Sequence, residues 1–200
     1  YDNQSNLLDD KSIRVGIRKV KLHLNRNSKN AFYFEINSRP IYLMGANWIP
    51  VDMFIPRQGE QVYKNLIHLA KKANMNVLRV WGGGIYENDI FYNLCDELGI
   101  LVWQDFMFAC AAYPEDESFL NNIEREAEQN ILRLQYHPSV ILWCGNNENE
   151  WIWYRDTGNV ATTMSGYTIF HQLLRKIVNE FDPYRSYWPT TPFGIEDDPN

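Results

Sequence analysis

The chain has 200 residues, a formal net charge of −6, and 45% hydrophobic content, enough to bury a core. The negative balance argues against nucleic acid or an anionic membrane surface as its main partner, because both attract cations. No apolar run approaches the roughly 18 residues that a membrane-spanning helix needs, so no membrane partner is expected either.

Cys95, Cys110 and Cys144 lack CxxC spacing, and His23, His68, His137 and His171 lie far apart without an HExxH pattern. Neither a disulfide framework nor a metal site is indicated, and no cofactor is expected. The sequence opens at Tyr1 with neither Met nor a signal segment, so we expect a piece of a longer chain. Asn3-Gln4-Ser5 is a glycosylation sequon if that chain enters the secretory pathway.

Residues 1–11 are polar and read as a linker or loop. Ile13, Val15 and Ile17 then alternate with polar residues. The phase slips at Arg18-Lys19, as at a bulge, and Val20, Leu22 and Leu24 resume it. Phe32, Phe34 and Ile36 alternate again after a polar loop, which predicts a β-hairpin. Two or three strands are marginal alone, so residues 1–37 are expected to end a β-sandwich.

From Pro40 the pattern changes to alternating strands and helices over residues 38–200. Strands are predicted at 41–46, 77–80, 100–104, 140–144 and 187–190. Helical stripes are predicted at Val62, Leu66, Leu69, Ala73; at Ile90-Phe91, Leu94-Cys95, Leu98, with Gly99 as the stop; at Leu120, Ile123, Ala127, Ile131, Leu134; and at Phe170, Leu173-Leu174, Ile177-Val178, Phe181. Repeated βα units imply a parallel sheet. Helix-to-strand connections are short, whereas the strand-to-helix segments 47–59, 105–117 and 145–165 are long and polar or aromatic. That asymmetry places function at the C-terminal strand ends, as in a (β/α)8 TIM barrel. No G-x-G-x-x-G follows a strand, which argues against a dinucleotide fold. A whole barrel takes about 250 residues, so this is an incomplete barrel with about five strands, awaiting the remainder of its own chain.

The fourth of these strands ends as V-I-L-W-C-G-N-N-E-N-E-W over residues 140–151. An apolar run stops at Gly145 and a rim of amides and acids follows. Glycoside hydrolysis uses two carboxyl groups flanking the bond, one of which protonates the leaving oxygen. Glu148 is placed for that role, with Asn147 beside it able to bond a sugar 2-hydroxyl. Glu150 is read as a salt-bridge or loop residue, too close in sequence to Glu148 to face it across a sugar ring. Val77, Arg79 and Trp81 share one face by alternation. Arg79 would be a buried cation needing a carboxylate, and Trp81 a pocket wall, its glycines turning the chain tightly behind it. Trp48 with Asp52, and Asp105, are expected to complete the polar rim.

The segments L-M-G-A-N-W-I-P, N-V-L-R-V-W-G-G-G-I-Y-E, G-I-L-V-W-Q-D-F-M-F-A-C-A and G-N-N-E-N-E together resemble the β-mannosidases of glycoside hydrolase family 2. Related β-galactosidases and β-glucuronidases share the N-E pair, but the tryptophan-centred segments are more diagnostic. The resemblance implies retaining, exo-acting hydrolysis of terminal β-mannose, with Ig-like modules ahead of a (β/α)8 barrel. It implies Glu148 as general acid/base, Asn147 as a 2-hydroxyl ligand and Trp81 in the mannose subsite. A β-mannoside oligosaccharide would be the substrate, and a lysosomal or secretory setting follows for an animal source. The nucleophilic Glu should lie on a later strand, since Glu180, Glu196 and the nearby Asp residues do not match its context. The 200 residues alone are therefore expected to be inactive.

Overall fold

The computed structural model describes residues 6–10, 12–24 and 32–192; the Asn3 sequon, the loop after Leu24 and Glu196 lie outside them. Among the described residues there are two sheets. The first is antiparallel, with β1 (Val20–Leu24), β2 (Phe32–Ile36) and β3 (Arg39–Ile41) in that order. The second is parallel, with β4 (Gly45–Trp48), β5 (Val77–Val80), β6 (Leu101–Asp105), β7 (Val140–Cys144) and β8 (Ser186–Trp188) side by side in chain order. Helices α1 (Glu60–Lys72), α2 (Asp89–Leu98), α3 (Glu117–Leu134) and α5 (Leu174–Phe181) fill the crossovers, and α4 (Asn149–Thr157) follows β7 directly.

The predicted hairpin forms with the expected faces opposed: Val20 faces Ile36, Leu22 faces Phe34 and Leu24 faces Phe32. Residues 13–17, however, form no strand, and Ile13, Val15 and Ile17 are exposed. Alternation makes a segment extended, but a strand also needs a partner ladder. Arg18 leaves the expected bulge and donates instead to Pro138 O at 2.5 Å and Val140 O at 2.7 Å. A third strand escaped the sequence reading. Asn37 and Ser38 both take positive φ, 50° and 65°, in a two-residue turn that pairs β2 with β3 across residue 37. Ile41 thus belongs to the antiparallel sheet, and the parallel strand begins only at Gly45.

Phe34 is fully buried with Leu142, Cys144 and Trp188. Phe32 meets Trp188 edge-on at 5.0 Å and Trp103 at 6.0 Å. The antiparallel sheet therefore covers the face of the parallel sheet opposite the helices, the face that a closed barrel turns inward. On the helix side, Trp143 lies against Phe106 and its indole donates to Asp182.

The last three helical stripes pack as their spacing predicts, and Gly99 ends α2 at φ 66°. The first does not. In α1 the buried residues are Tyr63, Ile67 and Ala70, while Val62, Leu66 and Leu69 are exposed. Helix α1 has two apolar faces; the one toward α2 is covered and the other borders the free edge of β4. Helix α4 falls inside the long segment 145–165, where no apolar stripe announces a helix: its buried residues are Asn149 and Glu150.

Candidate active site at the strand ends

The C-terminal strand ends are joined by a polar network centred on Arg79. Its guanidinium grips Asp105 in a two-pronged pair, Nε to Oδ1 at 3.1 Å and Nη2 to Oδ2 at 2.7 Å. The same Nη2 donates to Asn147 Oδ1 at 3.0 Å and to Thr191 Oγ1 at 2.5 Å. Four strands, β5 to β8, are thereby linked above their last ladder bonds. Asp105 also accepts from Gly82 N and Trp103 Nε1, each at 3.0 Å. Burial pushes its carboxyl above the ordinary range, against the downward pull of Arg79 and Gly82. Burial likewise works against the Arg79 charge, but Asp105 overcomes it and holds the guanidinium firmly protonated, with a smaller contribution from Glu148.

The backbone after β7 is pinned on both sides. Asn147 N donates to Phe108 O at 3.0 Å, Cys110 N donates to Asn147 O at 2.9 Å, and Glu148 N donates to Thr191 O at 2.6 Å. Gly145 is required here, because a Cβ would lie 2.2 Å from Pro189 O. Glu148 adopts the left-handed conformation, φ 66° and ψ 6°, and Cys110 also has positive φ at 54°. Such backbone costs a non-glycine residue on the order of 1 kcal/mol and persists where its surroundings over-determine it. The two strained residues meet: Cys110 Sγ donates toward Glu148 Oε2 at 3.6 Å and accepts from Asn147 Nδ2 at 3.5 Å.

Of the residues expected at the rim, Arg79, Asp105, Asn147 and Glu148 do come together. Trp81 stands at the same end, half-buried, with its ring so close to Gly83 that a Cβ there would lie 2.1 Å away. Asp105 differs from expectation in depth: fully buried and spent on Arg79, it lies beneath the rim and supports it. Trp48 is misplaced by the sequence reading. The ladder pairs Asn47 with Arg79 and Trp48 with Val80, so Asn47 shares the inner face while Trp48 turns toward the helices. There its indole donates to Glu87 Oε1 at 2.9 Å and its ring stacks on Tyr63. Asp52 instead binds Arg57 at 2.7 Å on the loop after β4. Glu150, expected to make a salt-bridge or loop contact, hydrogen-bonds His171 Nε2 at 2.5 Å.

Three site residues had no place in the sequence reading. Thr191 follows a predicted strand and was discoverable by position. Asn146, which accepts from Thr190 Oγ1 and Asn149 N, sits inside the G-N-N-E run. Cys110 lies in a segment that carries the family resemblance, but a lone cysteine is ordinarily core and no role follows from its position.

A parallel sheet flanked by helices, with a carboxylate, an amide and a paired arginine at its C-terminal edge, is the half-barrel arrangement of a TIM-barrel enzyme. Residues 29–187 match the family model described as glycosyl hydrolases family 2, TIM barrel domain, and the chain belongs to that family. It is 45% identical to a β-mannosidase of Capra hircus over 96% of its own length and 23% of that protein's. The crystal structure of a β-D-mannosidase from Dictyoglomus thermophilum superposes with a TM-score of 0.91 at 50% identity, covering 98% of this chain and 24% of the other. A β-glucuronidase from Bacteroides uniformis superposes at 0.69 with 25% identity, covering 86% and 21%. The chain thus spans about a quarter of the length of these relatives.

Proposed function

We propose that the protein containing this chain is a retaining, exo-acting β-mannosidase that removes terminal non-reducing β-linked mannose. Support comes from the 45% and 50% identities to β-mannosidases, well above the 25% to the β-glucuronidase. The observation that carries the catalytic assignment is the strained Glu148, pinned at a strand end beside the Asn147–Arg79–Asp105 network.

In this reading Glu148 protonates the glycosidic oxygen as the C1–O bond breaks, while a carboxylate attacks C1 from the opposite face. Glu148 then takes a proton from water, whose oxygen displaces that carboxylate and releases mannose. Arg79, a cation that a nucleophilic Glu on the rim would have suited, is instead taken by Asp105. Neither Asp105 nor Glu150 serves as nucleophile in this reading, because both are buried away from the rim against Arg79 and His171. We assign that role to a residue of the longer chain. Asn147, aligned by Arg79, bonds the 2-hydroxyl, and Trp81 forms an apolar wall against the sugar ring. The pairing of β1 with β2 and of β2 with β3 keeps Val20 to Ile41 in one sheet, which favours a division from any Ig-like module upstream of Val20 rather than at residue 37. A lysosomal or secretory setting belongs to the same reading.

The test is turnover by the full-length protein of aryl β-mannoside, β-glucuronide and β-galactoside. Preferential hydrolysis of the mannoside supports the assignment. Preference for another glycoside moves the protein to a sister group, and binding without turnover makes it a carbohydrate-binding barrel.

A further inference from the structure

We propose that Glu150 and His171 are a positioning pair that sets the direction of the Glu148 carboxyl; this rests on the reading of Glu148 as the acid/base. Helix α4 begins immediately after Glu148, so the orientation of its first turn fixes the backbone from which that side chain projects. A nine-residue helix is ordinarily oriented by the apolar face it buries. Helix α4 buries Asn149 and Glu150, rests a partly buried Trp153 against the core, and turns Trp151 and Tyr154 outward. The turn next to Glu148 is therefore held by the polar contacts of Asn149 and Glu150, with Trp153 packing one turn further on.

Those contacts come from two sides. Asn149 Nδ2 donates to Ala111 O at 2.6 Å, tying the turn to the loop after β6. Glu150 Oε1 meets His171 Nε2 at 2.5 Å, with only 10% and 8% of the two side chains exposed. His171 is itself carried by a segment packed into the core. It lies in a π-helical turn, Ile169–Leu173, of the kind that recurs at functional sites. That turn directs Ile169 and Phe170 into the core and His171 toward α4, where the imidazole stacks on Tyr167 with centroids 4.2 Å apart. Phe170 is wedged against Phe108 and Tyr113. The pair thus transmits the position of the barrel frame to the turn that carries Glu148. Without it the left-handed Glu148 backbone loses one of its constraints.

A displaced acid has a distinctive kinetic signature. A leaving group that departs readily as an anion needs no proton, whereas a sugar leaving group does. In the full-length protein, Glu150→Ala and His171→Ala should lower kcat/KM for β-1,4-mannobiose by about 10- to 100-fold, the scale of a small misplacement of a reacting group. With 2,4-dinitrophenyl β-mannoside the loss should stay below about three-fold, since the protonation being impaired is not needed there. His171→Gln, which can still donate to Glu150, should recover most of the loss on mannobiose. Should Glu150→Ala fail to fold, the contrast between His171→Ala and His171→Gln decides. Equal losses on both substrates, or none on mannobiose, would overturn the proposal. Glu148→Gln run in parallel separates the two levels. If it discriminates between the substrates and the pair variants do not, the positioning role alone falls; if it does not discriminate, the acid/base reading falls with it.

Discussion

Strand β7 has an arginine cluster at each end, and the two are built differently. At the N-terminal end Arg18 and Arg185 both donate to Val140 O, at 2.7 and 2.6 Å, and Arg185 also reaches His137 O and Asp182. Burial and the neighbouring Arg185 push the Arg18 guanidinium down to about 10. These arginines spend their donors mostly on main-chain carbonyls and fasten segments to the sheet. At the C-terminal end Arg79 spends its donors on the side chains of Asp105, Asn147 and Thr191. Positive-φ backbone lies beside it at Cys110 and Glu148. One end holds the chain together; the other holds side chains in a chosen direction at the cost of strain.

Exchanging the roles should separate stability from activity. Arg79→Met in the full-length protein leaves Asp105 buried without its cation, and should cost about 3–5 kcal/mol of unfolding free energy together with most of the activity. Denaturant titration and steady-state kinetics measure both; retained activity would contradict the contrast. Arg185→Ala uncovers the buried Asp182 and should cost a similar 3–5 kcal/mol while leaving kcat of the folded fraction unchanged. Arg18→Ala removes two hydrogen bonds to carbonyls from a half-buried site, and should cost about 1–2 kcal/mol, again without a kinetic effect.

The smallest expected effect concerns Glu87, which lies outside both clusters. Burial raises its carboxyl against the hydrogen bonds from Tyr63 and Trp48. Between the ordinary carboxylate value and the raised one, the folded chain binds more protons than the unfolded chain. Its contribution to stability is therefore highest below the ordinary value and falls as pH rises through the raised one. Subtracting the Glu87→Gln stability curve from the wild-type curve between pH 3 and 7 should show that decline; a difference that is flat or rises with pH would contradict it.

How much was legible in the sequence follows the same division. Strand β7 was bounded correctly because both its faces are apolar and buried, and β5 because Val77, Leu78 and Val80 are buried around the single Arg79; hydrophobic runs report that directly. The rim was legible where polar residues interrupt such a run, as at Asn147 and Glu148. Trp48 was misread because it was placed on a loop, where strand parity says nothing; as the last residue of β4 it follows the alternation and points outward. Residues 13–17 had the pattern of a strand without a partner, and α4 is a helix without an apolar face. Asn37-Ser38 was a turn signal overlooked because Pro40 drew the boundary. Cys110 and Thr191 enter the site through loop geometry that no periodicity encodes.

The central claim is that Glu148, held in a left-handed backbone at the end of β7, transfers the proton. It is tested most directly by measuring kcat/KM for β-1,4-mannobiose in wild-type and Glu148→Gln full-length protein, with thermal unfolding recorded alongside. The account predicts a loss of about 10²- to 10⁴-fold with the unfolding midpoint little changed. Equal turnover by the two folded proteins would contradict it.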